Sequence, residues 1–204
     1  MNEDFIFNLI QCVSVVVASV TAIYGITSWR RETKFKRKYE LAEEVLSLFY
    51  ECREKIAVIR HPASYVGEGK TRKRRENENP EETEILDNAY VFYERYDKEK
   101  EPFLKLASLK FRFIAIFGKK ASMPFDQMAK ILSDILFAAN RLGNRYWKDQ
   151  GRKNFTDKQF DKHLEEMEKY ENIVWNSFEN DKIEFEVDKC IEEIEKYCLL
   201  IMQK

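Results

Sequence analysis

The chain has 204 residues, a formal net charge of −1 and a charged fraction of 35%. With only 6 Gly and 4 Pro, its composition excludes a collagen-like chain, a disordered tail protein and a β-sandwich or β-barrel, which needs many tight turns. The glycines lack a phosphate-binding spacing, which argues against a Rossmann or P-loop nucleotide enzyme. The composition therefore predicts an all-α protein with one domain and one appendage.

Residues 1–31 are predicted to form a transmembrane anchor. The 25 residues from Phe5 to Trp29 carry no charge, and as a helix they cover roughly 37 Å, more than the ~30 Å hydrocarbon layer. An acidic start and the basic end Trp29-Arg30-Arg31 differ from a cleaved signal peptide, so we expect the segment to remain. The positive-inside rule then predicts a single-pass protein of the inner membrane with its N-terminus outside. A buried helix of a soluble bundle is the alternative.

Small and polar residues recur on one face of this anchor at spacings of three and four. In lipid, small residues allow helices to approach closely, and polar groups can bond across the interface. We therefore expect a homo-oligomer of anchors in which this face points to the bundle interior or to a water-filled lumen. A lone anchor with incidental small residues is the other interpretation. The members of this face, called the polar stripe below, are Gln11, Ser14, Ala18, Thr21, Gly25 and Ser28.

Residues 32–204 are predicted to form a cytoplasmic antiparallel helical bundle. Helical spacing continues without Pro or Gly as far as His61, so the anchor and the first bundle helix should be one helix. A flexible loop is predicted at about residues 62–82. Its basic cluster, Lys70–Arg75, either is solvated or contacts RNA or acidic lipid. Further helices are predicted over about 82–100, 103–117, 123–143, 156–178 and 183–199, with Ser122 and Thr156 as N-caps.

The chain offers little for metal or acid-base chemistry. Its histidines, His61 and His163, do not complete the Arg-x4–6-His spacing of HEPN-type ribonucleases. His163 stands among charged residues, which is typical of a solvated helix face, whereas His61 is expected to cap a helix C-terminus. The four cysteines lack the paired spacing of a zinc site and are expected to be reduced thiols. No cofactor and no metal site are predicted.

The most concentrated basic and aromatic stretch is Asn140–Lys153. Arg141 and Arg145, one helical turn apart, form with Arg152 a candidate site for phosphate or carboxylate; a salt-bridged interface is the alternative. A membrane-tethered RNA-processing enzyme would combine these arginines with one of the histidines.

Charge is also divided along the chain, +8 over residues 103–153 and −7 over residues 154–204. A basic face of one subunit can therefore meet an acidic face of the next.

An N-terminal span with the basic exit Trp29-Arg30-Arg31, followed by a helical bundle with a degenerate Arg/His pattern, resembles the membrane accessory proteins of type VI-B CRISPR systems. The segments Phe111–Gly118 and Met123–Phe125 are also similar to a broader set of bacterial single-span proteins of unknown role. The first resemblance implies a HEPN-like fold, a membrane pore, an RNA-guided RNA nuclease as functional partner, and depolarisation that reinforces antiviral defence. A passive scaffold that tethers a partner at the membrane is a third interpretation.

Overall fold

The structure, a computed structural model, describes residues 2–148, 155–177 and 180–203. In these residues there are six α-helices and no β-strand, which confirms the prediction of an all-α protein. The helices are α1 (Asn2–Ile59), α2 (Pro80–Glu99), α3 (Glu101–Phe117), α4 (Met123–Arg141), α5 (Asp157–Val174) and α6 (Lys182–Met202).

Helix α1 is one unbroken element of 58 residues, as its uninterrupted helical spacing predicts. At 1.5 Å per residue it is about 87 Å long. By length and composition its N-terminal part can cross a membrane, and none of its most apolar stretch is buried in the protein. From Leu41 onwards the apolar face of the same helix is buried in the bundle. The helix ends at Ile59, just ahead of Pro62, which disfavours helical backbone at the residue before it.

The bundle half of α1 packs mainly against α6 and α3, while α4 packs against α5, α6 and α2. Side chains of α1 contact those of α6 in reverse order along the two helices, which makes these helices antiparallel. The three contacts join Arg60 to Asp181, Arg53 to Asp188 and Tyr50 to Glu195. The end of α1 therefore lies beside the start of α6.

Local sequence sets two helix starts, and the prediction of Ser122 as an N-cap is wrong. Thr156 and Gln159 form the reciprocal hydrogen bonds of a capping box at the start of α5, which confirms Thr156 as N-cap. Asn79 caps α2 by accepting a hydrogen bond from the N–H of Glu82. Ser122 has helical backbone and its side chain makes no capping bond. A 3-10 turn, Lys119–Ser122, leads directly into α4 and leaves no place for a cap.

Helix α4 does not stop at a cap but widens into a π-helical turn, Leu142–Tyr146. In this turn Gly143 lies against α2 so closely that an added Cβ would overlap the Cβ of Ala89. The contact brings Asn140 and Asn144 to the edge of α2. This arrangement shapes a cavity between the loop, α2 and the π-helical turn.

Candidate functional site

All six members of the polar stripe are exposed in the single chain. The hydroxyl of Ser14 donates to the carbonyl of Ile10, and that of Thr21 donates to the carbonyl of Val17, both at 2.8 Å. These hydroxyls are therefore satisfied by their own helix and need no partner chain. In the described part of the protein, the side-chain amide of Gln11 has no hydrogen-bond partner. It is the polar group of the stripe with most to gain from a neighbouring helix.

Gly25 stands in open space. A Cβ added at this glycine would meet no atom within 4 Å. A larger residue is therefore sterically neutral in the isolated chain, and any effect of its bulk must arise from a second molecule.

Two arginines of the basic stretch lie over aromatic rings. The guanidinium of Arg141 lies over the ring of Phe137, 5.1 Å from its centre, and that of Arg145 lies over Tyr146 at 5.4 Å. Neither forms an ion pair with a residue that the structure describes, so the salt-bridged alternative is not seen there. Each instead makes a cation–π contact, which contributes about 0.5–1 kcal/mol at an exposed site. Arg152 lies outside the described residues.

The two histidines occupy different places, and the prediction for His163 is wrong. Its side chain is buried, its Nε2 lies 3.2 Å from the carbonyl oxygen of Tyr146, and three aromatic rings contact it. His163 falls on the same face of α5 as its apolar residues, so its charged neighbours in sequence point elsewhere. The rings around it are Tyr146, Phe155 and Phe160.

His61 is exposed, and its Nδ1 accepts a hydrogen bond from the N–H of Ala63. Arg95 of α2, and not His61, reaches the C-terminal carbonyls of α1: its Nη1 lies 3.3 Å from the oxygen of Ile59. A guanidinium at this position satisfies helix-end carbonyls and interacts favourably with the helix dipole.

The segment between α1 and α2 carries a polar cluster that the sequence analysis did not single out. Arg95 is 5% exposed and its Nη2 lies 2.7 Å from Oε2 of Glu68. Hydrogen bonds from Arg95, together with one from the N–H of Tyr65, lower the pKa of Glu68 despite its partial burial. This ion pair attaches the segment to α2. We call the following residues the loop network: Glu68, Arg72, Glu78, Asp87 and Arg95.

Arg72 is the centre of the loop network. Its Nη2 lies 2.6 Å from Glu78 and its Nε lies 3.0 Å from Asp87 on α2. Arg74 reaches the second oxygen of Asp87 at 3.2 Å. Hydrogen bonds from Arg72 and from the backbone of Arg75 lower the pKa of Glu78 to about 2. The basic cluster is thus partly neutralised by carboxylates within the chain, while its mobility stays a prediction.

A second buried polar contact closes the bundle at the end of α1. The side chains of Arg60 and Asp181 are 2% and 3% exposed, and Nη2 of Arg60 lies 3.0 Å from Oδ2 of Asp181. Arg60 also donates to the carbonyls of Ile173 and Trp175, both at 2.8 Å, at the end of α5. Burial alone would raise the pKa of Asp181, but hydrogen bonds from Arg60 and from backbone N–H groups lower it.

Sequence reasoning missed Arg60 and Arg95, although helical phase contained a signal. Arg60 follows the buried residues Cys52 and Ile56 at steps of four, and Arg95 follows the buried Phe92 at a step of three. A charged residue on a buried face must be paired, and both arginines are.

Neither the loop network nor the Arg60–Asp181 contact supplies a nucleophile or an open metal site. Within residues 2–148, 155–177 and 180–203, no group of three or more His, Cys, Asp or Glu side chains is placed to hold a metal ion. No family model, curated protein or solved structure matches the chain.

Proposed function

We propose that the protein is a membrane-anchored effector that assembles through α1 and permeabilises or depolarises the inner membrane. The observation that carries this proposal is the unbroken helix α1, which joins an uncharged, unburied segment to the core of the bundle. Helix α1, as one rigid element, can then transmit a conformational change of the bundle to the segment in the membrane.

The exposed half of α1 supports insertion into lipid. Large apolar side chains project from it with no partner in the chain, among them Phe5, Val16 and Ile23. Burying one such side chain contributes roughly 1.5–3 kcal/mol, so leaving the whole segment in water is strongly unfavourable. Lipid, or lipid and neighbouring copies of α1, removes this penalty. With its basic exit, α1 then has its N-terminus outside and the bundle in the cytoplasm.

Assembly and pore formation rest on the polar stripe and on the charge division between residues 103–153 and 154–204. Gly25 leaves room for close approach of a second helix, and Gln11 offers a polar group to it. A basic surface that meets an acidic surface of the next subunit is a heterologous contact, which closes into a ring when the rotation permits.

The resemblance to type VI-B CRISPR accessory proteins supplies the biological setting of the proposal: a HEPN-like bundle, an RNA-guided RNA nuclease as partner and a role in antiviral defence.

A membrane-tethered ribonuclease is the competing function. The burial of His163 beneath aromatic rings does not favour it. Incubating the protein with labelled RNA, alongside His61→Ala and His163→Ala variants, distinguishes the two, because only the ribonuclease predicts cleavage that a variant abolishes. A passive scaffold predicts no depolarisation at all.

Labelling of single cysteines in intact cells tests the membrane topology. Cys52, Cys190 and Cys198 are buried, and the exposed Cys12 is replaced by Ser in every variant, which keeps the background low. Asp4→Cys and Val66→Cys place a thiol before and after the proposed span, at positions that are both exposed. A membrane-impermeant maleimide should label Asp4→Cys in intact cells and Val66→Cys only after lysis. The reverse pattern contradicts the proposed orientation, and labelling of both in intact cells contradicts the span.

A further inference from the structure

A cavity of about 320 Å³ lies between the loop, α2 and the π-helical turn after α4. We propose that this cavity binds a nucleotide, with the base beside two tyrosines and the phosphate beside two unpaired cations. The proposal concerns the bundle alone and does not depend on α1 crossing a membrane. The six side chains that carry it are Lys73, Arg75, Tyr90, Tyr93, Asn140 and Asn144.

The tyrosines offer a prearranged aromatic wall. The rings of Tyr90 and Tyr93 are stacked, with centres 5.8 Å apart and planes inclined by 16°. The hydroxyl of Tyr93 donates to the carbonyl of Leu136 on α4 at 2.8 Å, which fixes this ring in place. Stacking of a base on an aromatic side chain contributes about 1–3 kcal/mol and accepts any base, because every base has a π face.

The loop divides its basic residues between two roles. Arg72 lines the cavity but is paired with Glu78 and Asp87, and Arg74 is paired with Asp87. Lys73 and Arg75 also line the cavity but form no ion pair within the described part of the chain. Two unpaired cations beside an aromatic wall are suited to a phosphate group.

The third wall consists of amides. Asn140 and Asn144 lie one turn apart on exposed positions at the end of α4, and Nδ2 of Asn144 donates to the carbonyl of Asn140 at 3.1 Å. The close packing of Gly143 on Ala89 holds this turn beside the tyrosines. Side-chain amides carry both donors and acceptors and can therefore pair with the edge of a base.

The combination selects a nucleotide over other anions. Within the described residues no carboxylate lines the cavity, so an anion meets no opposing charge there. A simple phosphate would use the cations and leave the tyrosines without a function, whereas a nucleoside would leave the cations unused. The volume is at the lower end of small-molecule sites, about 300–1,000 Å³, and suits one nucleotide better than a polymer.

Calorimetric titration of the detergent-solubilised full-length protein tests the proposal. The probes are ribonucleoside 5′-monophosphates, with adenosine, inorganic phosphate and a short single-stranded RNA for comparison. We expect at least one monophosphate to bind, and adenosine and phosphate to bind about tenfold more weakly or less, because each lacks half of the contacts.

Variants then assign the binding to this cavity. The double change Lys73→Ala/Arg75→Ala should weaken the affinity about tenfold or more, because both residues are exposed and unpaired and their loss leaves the fold intact. Tyr90→Leu should weaken it as well, since leucine keeps apolar volume but cannot stack. Lys70→Ala is the matched control: this exposed lysine belongs to the same loop but does not line the cavity, and its loss should leave the affinity unchanged.

Several results would overturn the proposal. These are the absence of binding by every monophosphate at millimolar concentration, equal binding of inorganic phosphate, binding of RNA alone, and affinities that neither the double variant nor Tyr90→Leu alters. Binding that weakens equally in Lys70→Ala and in the double variant would also overturn it, since it would report a diffuse basic surface.

Discussion

Arg60 and Asp181 form an ion pair that is almost closed to solvent, and each residue also holds a helix end. Arg60 donates to the last carbonyls of α5, while Asp181 accepts from the first N–H groups of α6 as its N-cap. The pair thereby joins the ends of α1, α5 and the start of α6 at one point. Removal of either charge leaves the other one buried without its partner.

We therefore expect Arg60→Ala to lower the free energy of unfolding by about 3–5 kcal/mol, the usual effect of breaking a buried pair from one side. Arg53→Ala is the control, because Arg53 pairs with Asp188 on the same two helices but both side chains are more than 40% exposed. That change should cost at most about 1 kcal/mol. Urea unfolding followed by tryptophan fluorescence measures both. Equal effects of the two changes would show that burial of the Arg60 pair has no special weight.

Acid should weaken the ion pair between Arg72 and Glu78 in the loop network. The pKa of Glu78 is about 2 in the folded chain, against an ordinary value of 4.5. A carboxylate with a lowered folded pKa stabilises the fold above its unfolded pKa, and this contribution is lost as the pH falls through the folded value. The stability difference between wild type and Glu78→Gln should thus be constant at neutral pH and shrink between about pH 4.5 and pH 2.

Unfolding at a series of pH values measures this difference. Glu76→Gln is the control, since Glu76 is exposed in the same loop and forms no ion pair with a described residue. Its stability relative to wild type should change little over the same window. A difference for Glu78→Gln that persists unchanged to pH 2 contradicts the expectation.

Gly69 should tolerate no side chain. Its φ is +79° and an added Cβ would overlap the carbonyl of Asp87, whereas Gly67 has a φ of +100° and open space around it. Both alanine substitutions carry the backbone strain of a positive φ, about 1–3 kcal/mol, but only Gly69→Ala adds the overlap. We expect Gly69→Ala to be clearly the more destabilising and to increase hydrogen exchange in residues 65–75. Equal effects would place the loop farther from α2.

Bulk on the polar stripe should stop depolarisation, while bulk on the lipid side should not. Gly25→Leu is sterically neutral in the single chain, so overpacking of about 1–3 kcal/mol arises only where copies of α1 meet. Val16→Leu lies on the opposite side of the helix. Under activating conditions, a potential-sensitive dye should report depolarisation with wild type and Val16→Leu but not with Gly25→Leu at equal membrane abundance. If the two variants behave alike, α1 is a tether only.

Within the polar stripe, Gln11 should contribute more to self-association than Ser14. The Ser14 hydroxyl already bonds to Ile10, so Ser14→Ala should leave self-association unchanged. Gln11→Leu removes a group that can bond between helices, which is worth about 0.6–2 kcal/mol in a membrane. The mass of the protein in detergent at decreasing concentration should show earlier dissociation for Gln11→Leu. Dissociation at the same concentration as wild type would remove Gln11 from the interface.

The sequence predicted the features whose causes are local. Helical spacing predicted α1 as one element, and the Thr156 cap follows from residues within one turn of it. Ser122 shows the limit of such reasoning, because the cap residue type was present but the 3-10 turn before it changed the backbone.

The polar contacts could not be predicted, because their partners are remote in sequence. Arg60 binds carbonyls more than 110 residues away, at Ile173 and Trp175. His163 is enclosed by Tyr146 only after α4 and α5 have packed together. The charged neighbours of His163 in the sequence predicted an exposed side chain, whereas its helical phase indicates a buried position on the apolar face of α5. The cavity likewise requires the loop, α2 and the end of α4 to meet.

Because α1 is unbroken, the number of residues between Ser28 and Leu41 sets the angle, about the axis of α1, between the polar stripe and the bundle. A helix turns by about 100° per residue, so a single insertion there would swing the whole bundle by about 100° about the axis of α1 relative to the polar stripe. An insertion of seven residues would restore the original direction to within about 20° while it lifts the bundle by about 10 Å. In a ring whose stripes face the centre, chain length at this point decides which flank of each bundle turns toward its neighbour.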